Sequence, residues 1–141
     1  MEHRDLRDVR VQDLVDRTGI DEAMITRLVH GFYGRVREDA TLGPIFAAEV
    51  EDWDEHLRTL VDFWSSVALM TARYGGRPMP AHVKLEVGEE HFARWLELFR
   101  QTAHEVCTPE AAAFFIGKAE TIARSFQMGI VYARQSKPPS P

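Results

Sequence analysis

The sequence predicts an all-α domain, and two observations carry the prediction. Apolar residues recur at three- and four-residue spacing along most of the chain. No run of four to eight residues joins clean alternation to β-branched enrichment, so no strand is expected. With 141 residues, 45% of them hydrophobic, the chain suits one domain around one core.

A short amphipathic helix is expected over 9–17, with Val11, Leu14 and Val15 on one side and Gly19 as its C-terminal cap. Asp21 is placed to cap a longer helix, 21–38, whose inward face is Ile25, Leu28, Val29, Phe32 and Val36. Gly31 and Gly34 interrupt it, each at a cost of about 1 kcal/mol relative to alanine, which suggests close approach of another backbone. Leu42-Gly43-Pro44-Ile45-Phe46 reads as a turn or a single helical turn. The next helix, 52–71, points Trp53, Leu57, Leu60, Val61, Trp64 and Val67 inward.

Paired glycine and spaced proline make 74–80 a loop. Pro80 then suits the first position of a short helix containing His82, with Gly88 a few residues beyond. A helix over 89–106 brings Phe92, Trp95, Leu96, Phe99 and Ala103 into register. Thr108-Pro109-Glu110 combines a cap, a first-turn proline and an acid for the helix dipole. It opens a last helix to about residue 134, with Phe115, Ala119, Ile122, Phe126 and Ile130 inward. The chain thus divides into an N-terminal extension with a short helix (1–20), one domain (21–134) and a polar, proline-rich tail (135–141) expected to be disordered.

The net charge is −5, from 22 acids and 17 bases well mixed along the chain. No basic stripe results, so nucleic acid is not an expected partner. No apolar stretch approaches the ~20 residues needed to span a membrane. The opening Met-Glu-His-Arg-Asp does not read as a signal peptide, which makes the cytoplasm the expected location. Cys107 is the single cysteine, so an intramolecular disulfide and any multi-cysteine zinc or iron–sulfur site are excluded.

The chemistry therefore rests on histidine, tyrosine and tryptophan. Of six histidines, His3 sits in a charged N-terminus, and His30 points away from the Phe32 face. His91 and His104, beside charged neighbours, are expected at the surface. His82 lies in a segment too short to add much core, and its imidazole suits iron. By itself it reads first as a partly buried or exposed histidine in a short helix, ahead of an iron ligand. His56 borders the inward stripe of its helix, i, i+4 with Leu60, and forms no His-x3-His pair for zinc. Tyr33 and Trp95 carry a hydroxyl and an indole N–H into apolar faces, where each needs a partner if buried. On the residues alone, the chain is an all-α domain with polar groups near its core.

Six segments in one order add more. Phe32-Tyr33-x-x-Val36-Arg37, Leu42-Gly43-Pro44-Ile45-Phe46, Trp53-x-Glu55-His56 and Phe63-Trp64 resemble the distal half of a group III truncated haemoglobin. Pro78-Met79-Pro80-Ala81-His82 and Phe92-x-x-Trp95-Leu96-x-Leu98-Phe99 resemble its proximal half and the helix that follows. The resemblance covers roughly 22–130. Leu85-Glu86-Val87-Gly88 departs from the family's pattern by lacking prolines.

The resemblance implies a truncated globin fold, a two-over-two helical sandwich around one haem b. It makes His82 the proximal iron ligand and puts Tyr33, His56 and Trp95 on the distal side. Phe46 packs on the porphyrin, with Leu60, Phe63 and Trp64 walling the cavity. His56 is left with three roles: hydrogen bonding the ligand, gating, or ligating the iron. Arg77 and Lys84 are candidate partners for the haem carboxylates by proximity. The implied activity is binding of O2, and of CO or NO, stabilised by the polar distal groups. The alternatives are a haem-dependent peroxidase-like or NO-dioxygenating enzyme fed by an external reductase, and a helical adaptor with structural histidines.

Overall fold

The computed structural model describes residues 6–74 and 87–136. All but Tyr74 of the loop expected over 74–80, the short helix expected from Pro80, and His3, Arg77, His82 and Lys84 lie outside the described residues, as does the tail from 137. Among the described residues there are six helices and no strand: α1 (Leu6–Thr18), α2 (Glu22–Glu38), α3 (Gly43–Glu49), α4 (Trp53–Leu69), α5 (Glu89–Val106) and α6 (Pro109–Ser136). α2 packs on α4 and α5 packs on α6, while the α2–α5 contact joins the two pairs. This is a two-over-two sandwich.

Local chemistry sets the helix ends. Gly19 closes α1 at φ +74, a conformation that costs glycine nothing, and its N–H reaches the Val15 carbonyl at 2.8 Å. Asp21 caps α2 by accepting the Met24 N–H at 2.8 Å. α3 runs seven residues rather than one turn, since Pro44 near its start needs no hydrogen-bond partner there. Gly43 at its start is buried, and a Cβ there would lie 2.8 Å from the Arg37 carbonyl oxygen, so only glycine lets α3 turn against the end of α2. α4 stops at Leu69, two residues early, because Met70 is left-handed at φ 53. α6 passes the expected end and takes in Gln135 and Ser136.

Thr108 joins two elements. Its Oγ1 accepts the Ala111 N–H at 3.1 Å, capping α6, and donates to the Thr18 carbonyl at 2.6 Å, tying down the end of α1. Thr108→Ala is expected to lower stability by about 1–2 kcal/mol, read from urea unfolding of the apoprotein, with Thr108→Ser close to wild type.

Aromatic rings fill the centre. Phe32, 1% exposed, stands edge-on to Tyr33, Trp95 and Phe99 at 4.7, 5.4 and 5.2 Å. Phe99 is stacked between Trp64 and Trp95 at 5.4 and 5.6 Å. Such pairs add about 0.5–1.5 kcal/mol each beyond burial, and their geometry fixes ring orientation where the two helix pairs meet. The close approach of another backbone expected at Gly31 and Gly34 is found at neither. A Cβ at Gly31 would press on the Thr102 methyl of α5 at 3.2 Å, a side chain rather than backbone, whereas Gly34 faces open space.

Polar clamps hold the frame around this core. Asp39, its side chain 6% exposed, accepts the Leu42 and Thr41 N–H groups at 2.9 and 3.0 Å and Arg94 Nε at 2.8 Å. Burial alone would raise its pKa, but the Leu42 N–H, the Arg94 guanidinium and the Thr41 N–H outweigh it and hold the carboxyl below its usual range. Arg35 of α2 pairs with Glu105 and reaches Thr102 Oγ1 of α5. The buried Ser65 hydroxyl donates to Glu22 at 2.7 Å, and Arg73 bridges Glu22 and Asp62 at 2.8 and 3.2 Å. With the Tyr74 N–H bonded to Ser66 Oγ at 3.0 Å, the chain is fastened to α4 up to Tyr74.

Candidate functional site

A cavity of about 240 Å³ opens between α2, α3, α4, α5 and the middle of α6. The 3.6-residue period places its walls: Leu60, Phe63 and Trp64 from α4, Phe92 and Trp95 from α5, and Ile122 and Phe126 from α6. Every expected site residue within the described chain lines it, namely Tyr33, Phe46, His56, Leu60, Phe63, Trp64 and Trp95. His82 lies outside the described residues. The chain on either side of it, Tyr74 and Val87, lines the cavity.

One wall is polar. Tyr33 is 6% exposed, and burial pushes its phenol up to about 12, while a hydrogen bond with Trp95 acts in the opposite direction. Like any phenol it is protonated across the physiological range, a donor as well as an acceptor, and burial extends that range upward. His56 is half-buried with its Nε2 shielded from solvent. Its ring stands edge-to-face with Tyr33 at 5.8 Å and with Trp53 at 5.6 Å. Arg37 lies over the other side of that cluster, 4.5 Å from the Trp53 ring centre. Phenol, indole and imidazole from three helices are thus gathered on one side of an otherwise apolar slot.

The histidines divide differently from expectation at one position. His30 and His104 are exposed, as expected. His91, expected at the surface, is instead half-buried and lines the cavity, with its Nδ1 accepting the Gly88 N–H at 2.8 Å. Its charged neighbours suggested solvent. The opposing signal was the i, i+4 spacing to Trp95, which puts both on one face of α5. Tyr74 and Val87 also line the cavity without having been singled out, since their place comes from the chain's path rather than from periodicity.

Helices crossed two over two about one open, aromatic-walled slot make a globin in its shortened form. Comparison with known proteins carries this further. The bacterial-like globin family matches residues 13–123. The curated group 3 truncated haemoglobin of Campylobacter jejuni is 34% identical over 113 residues, 77% of this chain and 89% of that one. The crystal structure of a group III truncated haemoglobin from the same organism superposes with a TM-score of 0.75 at 33% identity, covering 79% of this chain and 91% of the other. A group II truncated haemoglobin from Bacillus anthracis shares the fold, with a TM-score of 0.64 at 22% identity over 74% and 83%. The chain belongs to the bacterial-like globin family and, within it, to the group III truncated haemoglobins.

Membership implies haem as the cofactor, and the site suits it. A flat apolar macrocycle needs facing apolar walls, which Leu60, Phe63, Phe92 and Phe126 provide. Among the described residues no cluster of three or more His, Cys, Asp or Glu could hold a bare metal ion. No helix is long and apolar enough to cross a membrane among the described residues.

Proposed function

We propose that this chain binds haem b through His82 and uses Tyr33, Trp95 and His56 to hold a diatomic ligand, O2 foremost. The observation that carries the reading is the buried Tyr33 phenol, a protonated donor hydrogen-bonded with Trp95 on the cavity wall. The haem iron supplies an electron-rich centre to which a diatomic gas can attach. The residues do the rest. Tyr33 and Trp95 offer O–H and N–H donors to the partial negative charge that such a ligand acquires, each worth about 1.5–3 kcal/mol when the acceptor is charged. Their edge-on packing against Phe32 keeps both rings from turning away. The apolar walls keep bulk water from competing for those donors.

The proximal role of His82 is supported by chain length. His82 lies five positions before Val87, which spans at most about 18 Å even when extended, and Val87 is itself on the cavity wall. The test is an absorption spectrum of the purified protein, as isolated and after dithionite and CO. A Soret band that shifts on reduction and again with CO is expected. Its absence after addition of haem would overturn the reading.

A further inference from the structure

We propose that His91 is a binding residue for one of the haem carboxylates, donating through Nε2. The inference rests on the haem reading above and adds to it a contact on α5. His91 lines the cavity one turn before Trp95 on the same helix face, and its side chain is 23% exposed. It therefore stands toward the rim, where a carboxylate-bearing edge would meet water, while Trp95 reaches in to the buried Tyr33.

The start of α5 sets which nitrogen is available. His91 Nδ1 accepts the Gly88 N–H at 2.8 Å, satisfying a backbone donor at the helix N-terminus. The ring proton accordingly sits on Nε2, the edge left for the cavity. Glu90 Oε1 is 3.4 Å from that same Nδ1, but its side chain is 73% exposed and the shorter Gly88 contact decides the tautomer. An imidazole held this way is a poor iron ligand, since coordination through Nε2 would require the proton to move to Nδ1, against the Gly88 N–H. It is a good donor to a carboxylate. Trp95, one turn further along the same face, turns to Tyr33, which leaves His91 for the porphyrin's polar edge.

The test separates the carboxylate contact from the helix cap. His91→Glu keeps an acceptor for the Gly88 N–H, since glutamate suits the third position of a capping box, but removes the donor. His91→Gln keeps an acceptor and retains N–H groups. Loss of ferric haem to an excess apo-globin trap is measured for each protein, loaded with protohaem or with its dimethyl ester. The expected result is roughly tenfold faster protohaem loss for His91→Glu, no more than about twofold for His91→Gln, and equal rates for all proteins with the ester. Equal acceleration with both haems, or none with protohaem, would overturn the proposal while leaving the haem reading intact. A wild-type protein that takes up no haem would remove both. Circular dichroism melts of the apoproteins check that α5 stays capped, and a lowered melt in His91→Glu matched by faster loss of the ester would also count against the contact.

Discussion

His82→Ala is expected to leave a folded apoprotein that no longer retains haem. Changes to groups that merely orient a metal ligand cost roughly 10- to 100-fold in affinity, so loss of the ligand itself should accelerate haem loss by about 100-fold or more. The fold should survive because the buried core, centred on Phe32, Phe99 and Phe115, is built from helices other than the segment carrying His82. Haem titration followed at the Soret band, beside helical circular dichroism, makes the measurement. Added imidazole should restore part of the wild-type spectrum, by supplying the missing nitrogen from solution. Retention of haem at the wild-type rate would remove His82 from the iron and turn attention to His56, which lines the cavity and stands 5.8 Å ring to ring from Tyr33.

Tyr33→Phe is expected to keep haem but speed O2 dissociation by about 10- to 100-fold, the worth of one hydrogen bond to a charged acceptor. The ring shape is unchanged, so its packing on Phe32, at 4.7 Å, and on Phe46, at 5.8 Å, should persist. Trp95 loses its phenol partner and can then turn its N–H wholly to the ligand, which places the effect nearer the lower end. Tyr33→Phe with Trp95→Phe should therefore exceed either change alone, since the donors share one site and do not add independently. Stopped-flow O2 release is the readout, and an unchanged rate in Tyr33→Phe would overturn the distal assignment.

The titration of Tyr33 gives the pH behaviour of the same residue. With the phenol pushed up to about 12, O2 release from the wild type should not vary through ionisation of this group between pH 6 and 9. The sign for stability follows. A phenol whose folded pKa is raised favours the folded state fully below the unfolded value near 10, and that contribution is lost as pH climbs from about 10 to 12. Alkaline unfolding of the apoprotein should accordingly be shallower in Tyr33→Phe over that interval.

Helix type and order could be read from the chain because each signal is local. Apolar spacing places both α2, where the Asp21 cap agrees with it, and α5, and both helices lie within a residue of the expected bounds. α3 was harder: Leu42 to Phe46 read as a turn or a single helical turn, yet Gly43 and Pro44 start a seven-residue helix, the missing Cβ of Gly43 leaving room for the Arg37 carbonyl. Met70 ended α4 early through a left-handed backbone, which no side-chain pattern announces. The distal trio Tyr33, His56 and Trp95 came from an ordered resemblance rather than from periodicity. Spacing within one helix cannot tell which residue on another helix it will face.

His91 shows where that limit lies. Its neighbours Glu89, Glu90 and Arg94 argued for solvent, and Arg94 does turn outward to Asp39 and Glu97. The imidazole went the other way because α5 packs against both α2 and α6, leaving the cavity as the space its face covers. By itself the sequence determined an all-α chain, the inward stripe of each long helix, and the residue types able to hold a haem and its ligand, since these follow from contacts three or four residues apart. Only the tertiary structure decided that Tyr33, His56 and Trp95 share a wall, that the Tyr33 phenol is buried, and that His91 looks into the cavity. Those facts depend on how four helices cross, and the crossing is set by packing between residues far apart in the chain.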